Sequence, residues 1–382
     1  MKKIILTLII LVFGKAYSQN KLEGVILDES TGKPIEYVDI FNNMDFTSTN
    51  AEGKFLFKSM EDSINIQLLG YEPIHSTFEQ FSADTIYLQS KFELLDEVIL
   101  SQPNSIKTVF KNIHQNYPFE PYTESFFLRS VLKKDGHIVK LQDLNGLLSR
   151  KTLLATSKNP MPRNNYTVEV QNMRKAEIKD NEVYFEMFSF DQFLTAITSI
   201  AISPSVFDFT AIESDDNLLK YKFSPKKETE FTTTGYYLVD TNDNSFNEFY
   251  LLDFDNEKDF QKRRDLKYRT VYYELFVSFS KNNPGNKYYL DKAKLIAKVE
   301  VIGKDEKTIQ YETEYVWIAS HRTNKKINKK ASLSKDIFKL DIPYDEHFWN
   351  HQNYLQLTDE LKLFIGDLDS SNNDFEIQTN IE

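Results

Sequence analysis

The sequence predicts a mainly β protein of two domains. The first is an N-terminal seven-stranded β-sandwich of the prealbumin or immunoglobulin type. The second is an α+β domain with a large curved antiparallel sheet and a few packed helices. Three observations carry this. Short alternating runs separated by turn residues fill residues 19–100. Longer runs of period two dominate from Tyr122 to Ala319. Aromatic residues make up 14% of the chain, with 30 Phe and 21 Tyr against 11 Gly, a composition that favours long pleated strands.

The first 18 residues are read as a signal peptide. Lys2 and Lys3 precede an apolar run from Ile4 to Phe13, and Ala16-Tyr17-Ser18 is a small-x-small cleavage site. A ten-residue helix rises about 15 Å, half of a hydrocarbon core of about 30 Å, so the run is too short to span a bilayer. No other stretch is long and apolar enough for a membrane helix, and the chain is expected to be exported, to the periplasm or to an outer-membrane or surface location. Cysteine is absent, so neither disulfides nor a lipid-acceptor thiol are available. Stability must come from burial. Removing Lys2, Lys3 and Lys15 from the 46 basic residues leaves 43 against 57 acidic, a net charge of −14, which argues against a nucleic-acid partner. Lys325, Lys326, Lys329 and Lys330 form the one basic cluster, in a polar loop. Such a run is usually a solvated loop; contact with an anionic surface is the other reading.

In the first domain the strands and turns alternate closely. Leu22, Val25 and Leu27 lead to Asp28, and Ser30-Thr31-Gly32-Lys33-Pro34 is a turn. Ile35 to Phe41 holds a second strand, Asn50-Ala51-Glu52-Gly53 a second turn, and Lys54-Phe55-Leu56-Phe57 resumes the alternation. Ile64 to Leu68 alternates again before Gly70-Tyr71, and Thr85 to Leu88 is the last strand. Gly24-Val25, Asp28, Thr31 to Ile35, Asn50 to Phe55 and Leu69-Gly70-Tyr71, at this spacing, resemble the carboxypeptidase-like regulatory domain. The resemblance covers residues 21–100, and Leu95 to Leu100 resembles the segment that closes that module. It implies an exported protein of the Bacteroidota type, in which the module precedes a further domain. It does not imply peptidase activity: none of the six histidines sits in His-Glu-x-x-His or His-x-x-Glu.

Ser101 to Asn104 reads as a linker. Ile106, Val109, Phe110 and Ile113 make one helical stripe, and Phe190, Phe193, Leu194, Ile197 and Ile200 make another. Val271, Tyr273, Leu275, Val277 and Phe279 share one strand face, with Tyr272, Glu274, Phe276 and Ser278 on the other. Ala293, Leu295, Ala297, Val299 and Val301 oppose Lys292, Lys294, Lys298 and Glu300, and Tyr311, Thr313, Tyr315 and Trp317 mark the last long strand. One face is therefore core and one is wet, which argues against a transmembrane barrel. Turns are expected at 283–286 and 303–305. Asn116-Tyr117-Pro118 with Phe126 to Arg129, and Tyr344-Asp345 with Phe348-Trp349 and Asn353-Tyr354, also resemble exported proteins of the same bacterial group, and this adds no residue roles. The domains are thus read as a signal at 1–18, the sandwich at 19–100, the α+β domain at 101–369 and a flexible, polar tail at 370–382.

No catalytic constellation emerges. His347 and His351, four apart, could share a metal on a helix, but no third ligand is evident; Phe348 and Trp349 then serve as anchors between wet histidines. Asp240 to Asn244 and Asp253 to Asp259 lack the Gly and Glu of a calcium loop and read as turns. There is no Gly-rich phosphate loop and no Gly-x-Ser-x-Gly, and no cofactor is expected. The sequence therefore points to a non-catalytic binding or scaffold protein of the cell envelope, its partner an envelope protein, glycan or lipid. The first alternative is a carrier of a small apolar ligand or lipid, its cavity lined by Tyr273, Phe276, Tyr289 and Trp317. The second is a hydrolase with a dispersed active site.

Overall fold

In a computed structural model the described residues are 19–81, 84–91, 99–100, 104–156, 160–179, 185–215, 217–263, 265–281, 287–303, 306–353, 355–370 and 375–379. The linker residues 101–103, the turn at 283–286, residues 304–305 and the signal segment lie outside them. The chain divides into two compact units: residues 1–93 with Gln352–Glu360, and residues 94–351 with Leu361–Glu382.

The first unit holds seven strands in two sheets, as the alternation predicts. Strands β1 (Asn20–Asp28), β4 (Lys54–Ser59) and β7 (Thr85–Leu88) form one sheet in the order β4-β1-β7. Strands β2 (Asp39–Phe41), β3 (Phe46–Ser48), β5 (Ser63–Gln67) and β6 (Ile74–Thr77) form the other, in the order β3-β2-β5-β6. Period-two alternation sends Ile26, Phe55, Phe57 and Leu88 from the first sheet, and Ile40, Ile64 and Ile66 from the second, into one shared core. Asp28 closes the first turn: its Oδ1 accepts from the amides of Ser30 and Thr31 at 3.0 and 2.7 Å and from both hydroxyls, and its Oδ2 accepts from Tyr71 Oη at 2.9 Å. These donors, the Ser30 hydroxyl foremost, hold the carboxyl far below the usual carboxylate range, against a smaller upward push from burial.

The returning segment Gln352–Glu360 completes this unit along β4, an edge strand. Asn353 Oδ1 accepts from the Lys58 amide at 2.9 Å while its Nδ2 donates to the Lys58 carbonyl at 2.5 Å. One side-chain amide thus satisfies both backbone groups of an edge residue. Asn50 Nδ2 donates to the Leu357 carbonyl, and Lys54 Nζ pairs with Asp359 at 2.7 Å.

The second unit is built on a thirteen-stranded sheet. Its strands are β8 (Ile99–Leu100), β9 (Tyr122–Lys134), β10 (His137–Arg150), β11 (Tyr166–Ile178), β12 (Phe207–Asp215), β13 (Leu218–Pro225), β14 (Thr234–Asp240), β15 (Ser245–Phe254), β16 (Gln261–Arg263), β17 (Leu266–Ser280), β18 (Tyr289–Ile302), β19 (Thr308–Arg322) and β20 (Phe375–Gln378). The order is β20-β11-β10-β9-β19-β18-β17-β15-β14-β13-β12-β8, with β16 on β17, and every pairing is antiparallel. Asp135 and Gly136, at φ 50° and 85°, make the tight turn between β9 and β10 that positive-φ residues favour.

Two outcomes differ from the sequence reading. Ile99–Leu100, expected to close the sandwich, pairs with Ile212 and Ala211 of β12. Phe375–Gln378, inside the segment expected to be a flexible tail, pairs with Lys175–Ile178 of β11, where Glu376 meets Lys175 at 2.9 Å. Polarity alone misled there, because Phe375 and Ile377 alternate with Glu376 and Gln378 in strand fashion.

Helices α1 (Asn104–Asn116) and α2 (Phe190–Ala196) bury Ile106, Val109 and Ile113, and Phe190, Phe193 and Leu194, in the same core as one face of the sheet. The second helix is shorter than its apolar spacing suggests. Ser189 and Gln192 form a reciprocal capping box at its start, and Ile197 caps its end. Two further helices, α3 (Glu346–Asn350) and α4 (Asp359–Ser370), follow the long strands.

Candidate functional site

The core face of the large sheet is filled with rings. Trp317 is fully buried, stacked on Phe126 at 4.4 Å and flanked by Phe193 at 6.0 Å. Tyr315 lies between Phe188, Phe193 and Phe338. Tyr273 is half-buried against this core, whereas Phe276 sits on the opposite face, because Leu275 and Val277 point inward. Tyr289 packs edge-on against Tyr122 at 5.0 Å, with the Arg322 guanidinium 4.0 Å above its ring. The four residues expected to line one cavity are therefore not gathered at one place.

The face away from the core carries a different arrangement. Register places Lys222, Tyr236, Tyr250, Phe276 and Lys294 in one row across β13, β14, β15, β17 and β18. Each is forced outward because its neighbours, such as Tyr221, Tyr237, Phe249 and Leu295, enter the core. Tyr236 and Tyr250 stack at 5.4 Å, and Lys220 Nζ lies 4.0 Å from the Tyr236 ring centre. Tyr236 Oη donates to Glu248 at 3.5 Å and Tyr250 Oη to Glu274 at 3.1 Å, while Tyr272 donates to the other Glu274 oxygen. Phe254, 54% exposed, packs edge-on to Tyr272, and Lys298 pairs with Glu312 at 2.8 Å beside it.

Electrostatics keep these hydroxyls protonated. Burial, then the nearby Glu274 carboxylate, pushes Tyr250 up to about 12. Burial and Glu248 push Tyr236 up as well, and burial raises Glu248 against the pull of Lys220. The result is a ribbon of half-exposed rings whose hydroxyls are spent on fixed carboxylates. Its ring faces can stack against a partner, and the remaining lone pairs of the carboxylates can accept hydrogen bonds from it.

Past Lys294 the same row continues with the buried Val316, Arg129 and Asp143 and the half-buried Arg174, across β19, β9, β10 and β11. Asp143 is clamped by Arg129 and by Arg174, whose guanidinium lies 4.6 Å from the ring centre of Trp349. A second buried pair, Arg150 with Glu124, stands on the core side, with Tyr122 and Tyr166 near the guanidinium.

The other candidates act as local structure. His347 and His351 are exposed and stacked at 4.3 Å, and His351 Nδ1 meets the His347 carbonyl at 2.7 Å. Among the described residues no three His, Cys, Asp or Glu side chains are grouped to hold a metal. Asp243 is bonded by Ser245, Lys281 and Tyr288, and Asp253 by Thr232, Thr233 and Lys258, so both acidic runs tie turns together. Sequence reading missed Tyr236, Tyr250, Glu248 and Glu274. Their outward alternation is visible within each strand, but their meeting depends on register between strands.

No family model matches the chain, and no curated protein matches it. Three solved structures show remote likeness. A lipovitellin structure, described for its lipid–protein interactions, shares 7% identity over 58% of this chain and 28% of its own, at a TM-score of 0.24. The MucA/MucB complex of Pseudomonas aeruginosa shares 8% identity over 57% of this chain and 92% of the matched chain, at 0.16. A putative membrane-associated protein of unknown function from Bacteroides fragilis shares 8% over 80% of this chain and 98% of its own, also at 0.16. The chain spans little more than a quarter of the lipovitellin chain, and none of the three scores is high enough to carry an argument.

Proposed function

We propose that the protein is an exported, non-catalytic binding or scaffold protein of the bacterial cell envelope, and that the outer face of its large sheet is the binding surface. The observation that supports this is the row Tyr236, Tyr250 and Phe276, flanked by Lys222 and Lys294 and braced by Glu248 and Glu274. Aromatic rings on a rigid sheet supply contact area at little entropic cost, and the charged flanks confer selectivity. The partner is an envelope protein or glycan that presents a flat apolar face with hydroxyl or amide groups along it.

The test is capture from envelope extracts of the source organism by a photo-crosslinker placed at Phe276, followed by binding measurements with the captured partner. Tyr250→Ala and Phe276→Ala should each weaken binding by about tenfold or more while leaving the fold intact. Unchanged binding by both variants overturns the assignment of the surface. Turnover of a peptidase or glycosidase substrate that vanishes with a single carboxylate change overturns the non-catalytic reading.

A further inference from the structure

Several lysines on the large unit are neutralised by a carboxylate. Lys140 meets Glu177 at 2.7 Å, Lys298 meets Glu312 at 2.8 Å, Lys281 meets Asp243 at 2.6 Å and Lys339 meets Glu186 at 3.1 Å. The loop after β19 instead gathers cations that are close in sequence. Lys325, Lys326, Lys329 and Lys330 fall within six residues, all are exposed, and none is ion-paired with a described residue. Ile327 and Asn328 intervene, and among the described residues the carboxylate bonded to the loop, Glu169, accepts from the Asn328 amide at 2.7 Å and not from a lysine.

The loop is also held in place. The Thr323 amide donates to the Thr123 carbonyl at 2.9 Å, and the Ala331 amide donates to the Val168 carbonyl at 2.7 Å. The lysines are thus presented between two anchors, at the sheet end where β9 starts, β10 ends and β11 starts. Antiparallel order brings two further cations to that end. Lys151 and Arg163 are exposed in the β10–β11 connection, with Lys151 Nζ on the Arg163 carbonyl at 3.1 Å.

We infer that this end of the sheet is an electrostatic docking surface for an anionic lipid membrane. Lysines close to an anionic bilayer each favour binding about fivefold, so four would favour it on the order of 10³-fold. The whole chain carries −11, and −15 once these four lysines are set aside, so the remainder is repelled by the same surface. Attraction at one end and repulsion elsewhere would orient the molecule with the loop against the bilayer. The inference does not depend on the binding role of the outer sheet face, which lies on other residues.

The test is co-sedimentation of the chain from Gln19 onward, which holds every described residue, with phosphatidylcholine vesicles containing about one-third phosphatidylglycerol or none. Binding to the anionic vesicles alone is expected, with loss at about 1 M salt, where the screening length falls to about 3 Å. The variant Lys325→Gln, Lys326→Gln, Lys329→Gln, Lys330→Gln should lose binding by a factor of about 100 or more, and the four Lys→Arg changes should preserve it. Circular dichroism checks that each variant is folded. Binding that is equal on neutral vesicles, or unchanged in the Gln variant, overturns the inference. So does a stronger preference for a soluble polyanion, such as polyphosphate, than for the anionic vesicle.

Discussion

Arg129 and Asp143 face each other across the β9–β10 ladder, joined by two parallel hydrogen bonds of 2.9 Å from Nε and Nη2, with both side chains buried. Arg174 adds two bonds to the same Asp143 oxygen from β11, so one carboxylate ties three neighbouring strands. Planar guanidinium forks suit this geometry, and lysines would not reproduce it. The cluster lies on the face away from the main core, in the row that carries the exposed rings further along the sheet. It therefore fixes the register of β9, β10 and β11.

Removing one member should be costlier than removing all. Asp143→Ala leaves the buried Arg129 and the half-buried Arg174 without their shared carboxylate and should lower unfolding stability by about 3–5 kcal/mol. Replacing Arg129, Asp143 and Arg174 together by Met, Leu and Met removes the desolvation cost along with the attraction, and should cost less than the single change. Urea unfolding measures both. A triple variant that is weaker than Asp143→Ala would mean that the ion cluster is itself a large net stabiliser.

Acid should act on the same residue. Burial alone would push the Asp143 carboxyl up, but the guanidinium groups of Arg129 and Arg174 outweigh it and hold the group below the usual carboxylate range. A folded value below the unfolded one gives stability that is complete above about pH 4, the unfolded carboxylate value, and is lost as pH falls toward the folded value. Melting temperature followed downward from about pH 6 should drop steeply below about pH 4, and Asp143→Asn should flatten that drop. A variant with an unchanged acid slope would place the acid sensitivity elsewhere.

Asn353 gives a local test in the smaller unit. Its amide donates to and accepts from the backbone of Lys58, the two bonds a neighbouring strand would otherwise make. Asn353→Asp keeps the acceptor and loses the donor, leaving the Lys58 carbonyl unpaired, and should cost about 1–3 kcal/mol. Amide exchange at Lys58 reads it directly: protection there should survive Asn353→Asp and fall in Asn353→Ala. Loss of protection in both would mean that the whole Gln352–Glu360 segment had left the edge.

How much of this was legible differs by scale. Strand-period alternation in Lys54 to Phe57 and in Ile64 to Leu68 gave the two-sheet module directly, since both faces of a sandwich are set by local pattern. The split of Tyr273 from Phe276 onto opposite faces was legible for the same reason. The return of Gln352–Glu360 to β4 was not, because a bond such as Asn353 to Lys58 spans 295 residues and leaves no local trace. Nor was the row of Tyr236, Tyr250 and Phe276 legible. Alternation tells which way a ring points, but register is fixed by bulges such as the one between Leu238 and Val239, which no local pattern announces.

Gly146 marks another such bulge, between Asn145 and Gly146 on β10. A Cβ there would lie 2.0 Å from the Glu169 carbonyl oxygen on β11 and 3.0 Å from the Phe126 ring. The first neighbour is backbone and cannot move without opening the ladder. Gly146→Ala should therefore destabilise the second unit by about 1–3 kcal/mol through overpacking. A neutral substitution, measured by thermal unfolding, would show that the β10–β11 spacing yields freely at this point.

Trp317 and Phe276 offer the sharpest contrast, since the carrier reading places both rings in one cavity. Trp317 has no exposed surface and touches Phe126 and Phe193, so Trp317→Ala should open a void and cost about 3–5 kcal/mol. Phe276 is half-exposed on the other face, so Phe276→Ala should cost less than half as much, with truncation there removing contact area available to a partner. Chemical denaturation of the two variants side by side decides the matter. Comparable losses would mean that the outer face is as tightly packed as the core and could not serve as a binding ribbon. A small loss at Trp317 with a large one at Phe276 would reverse the assignment of the faces.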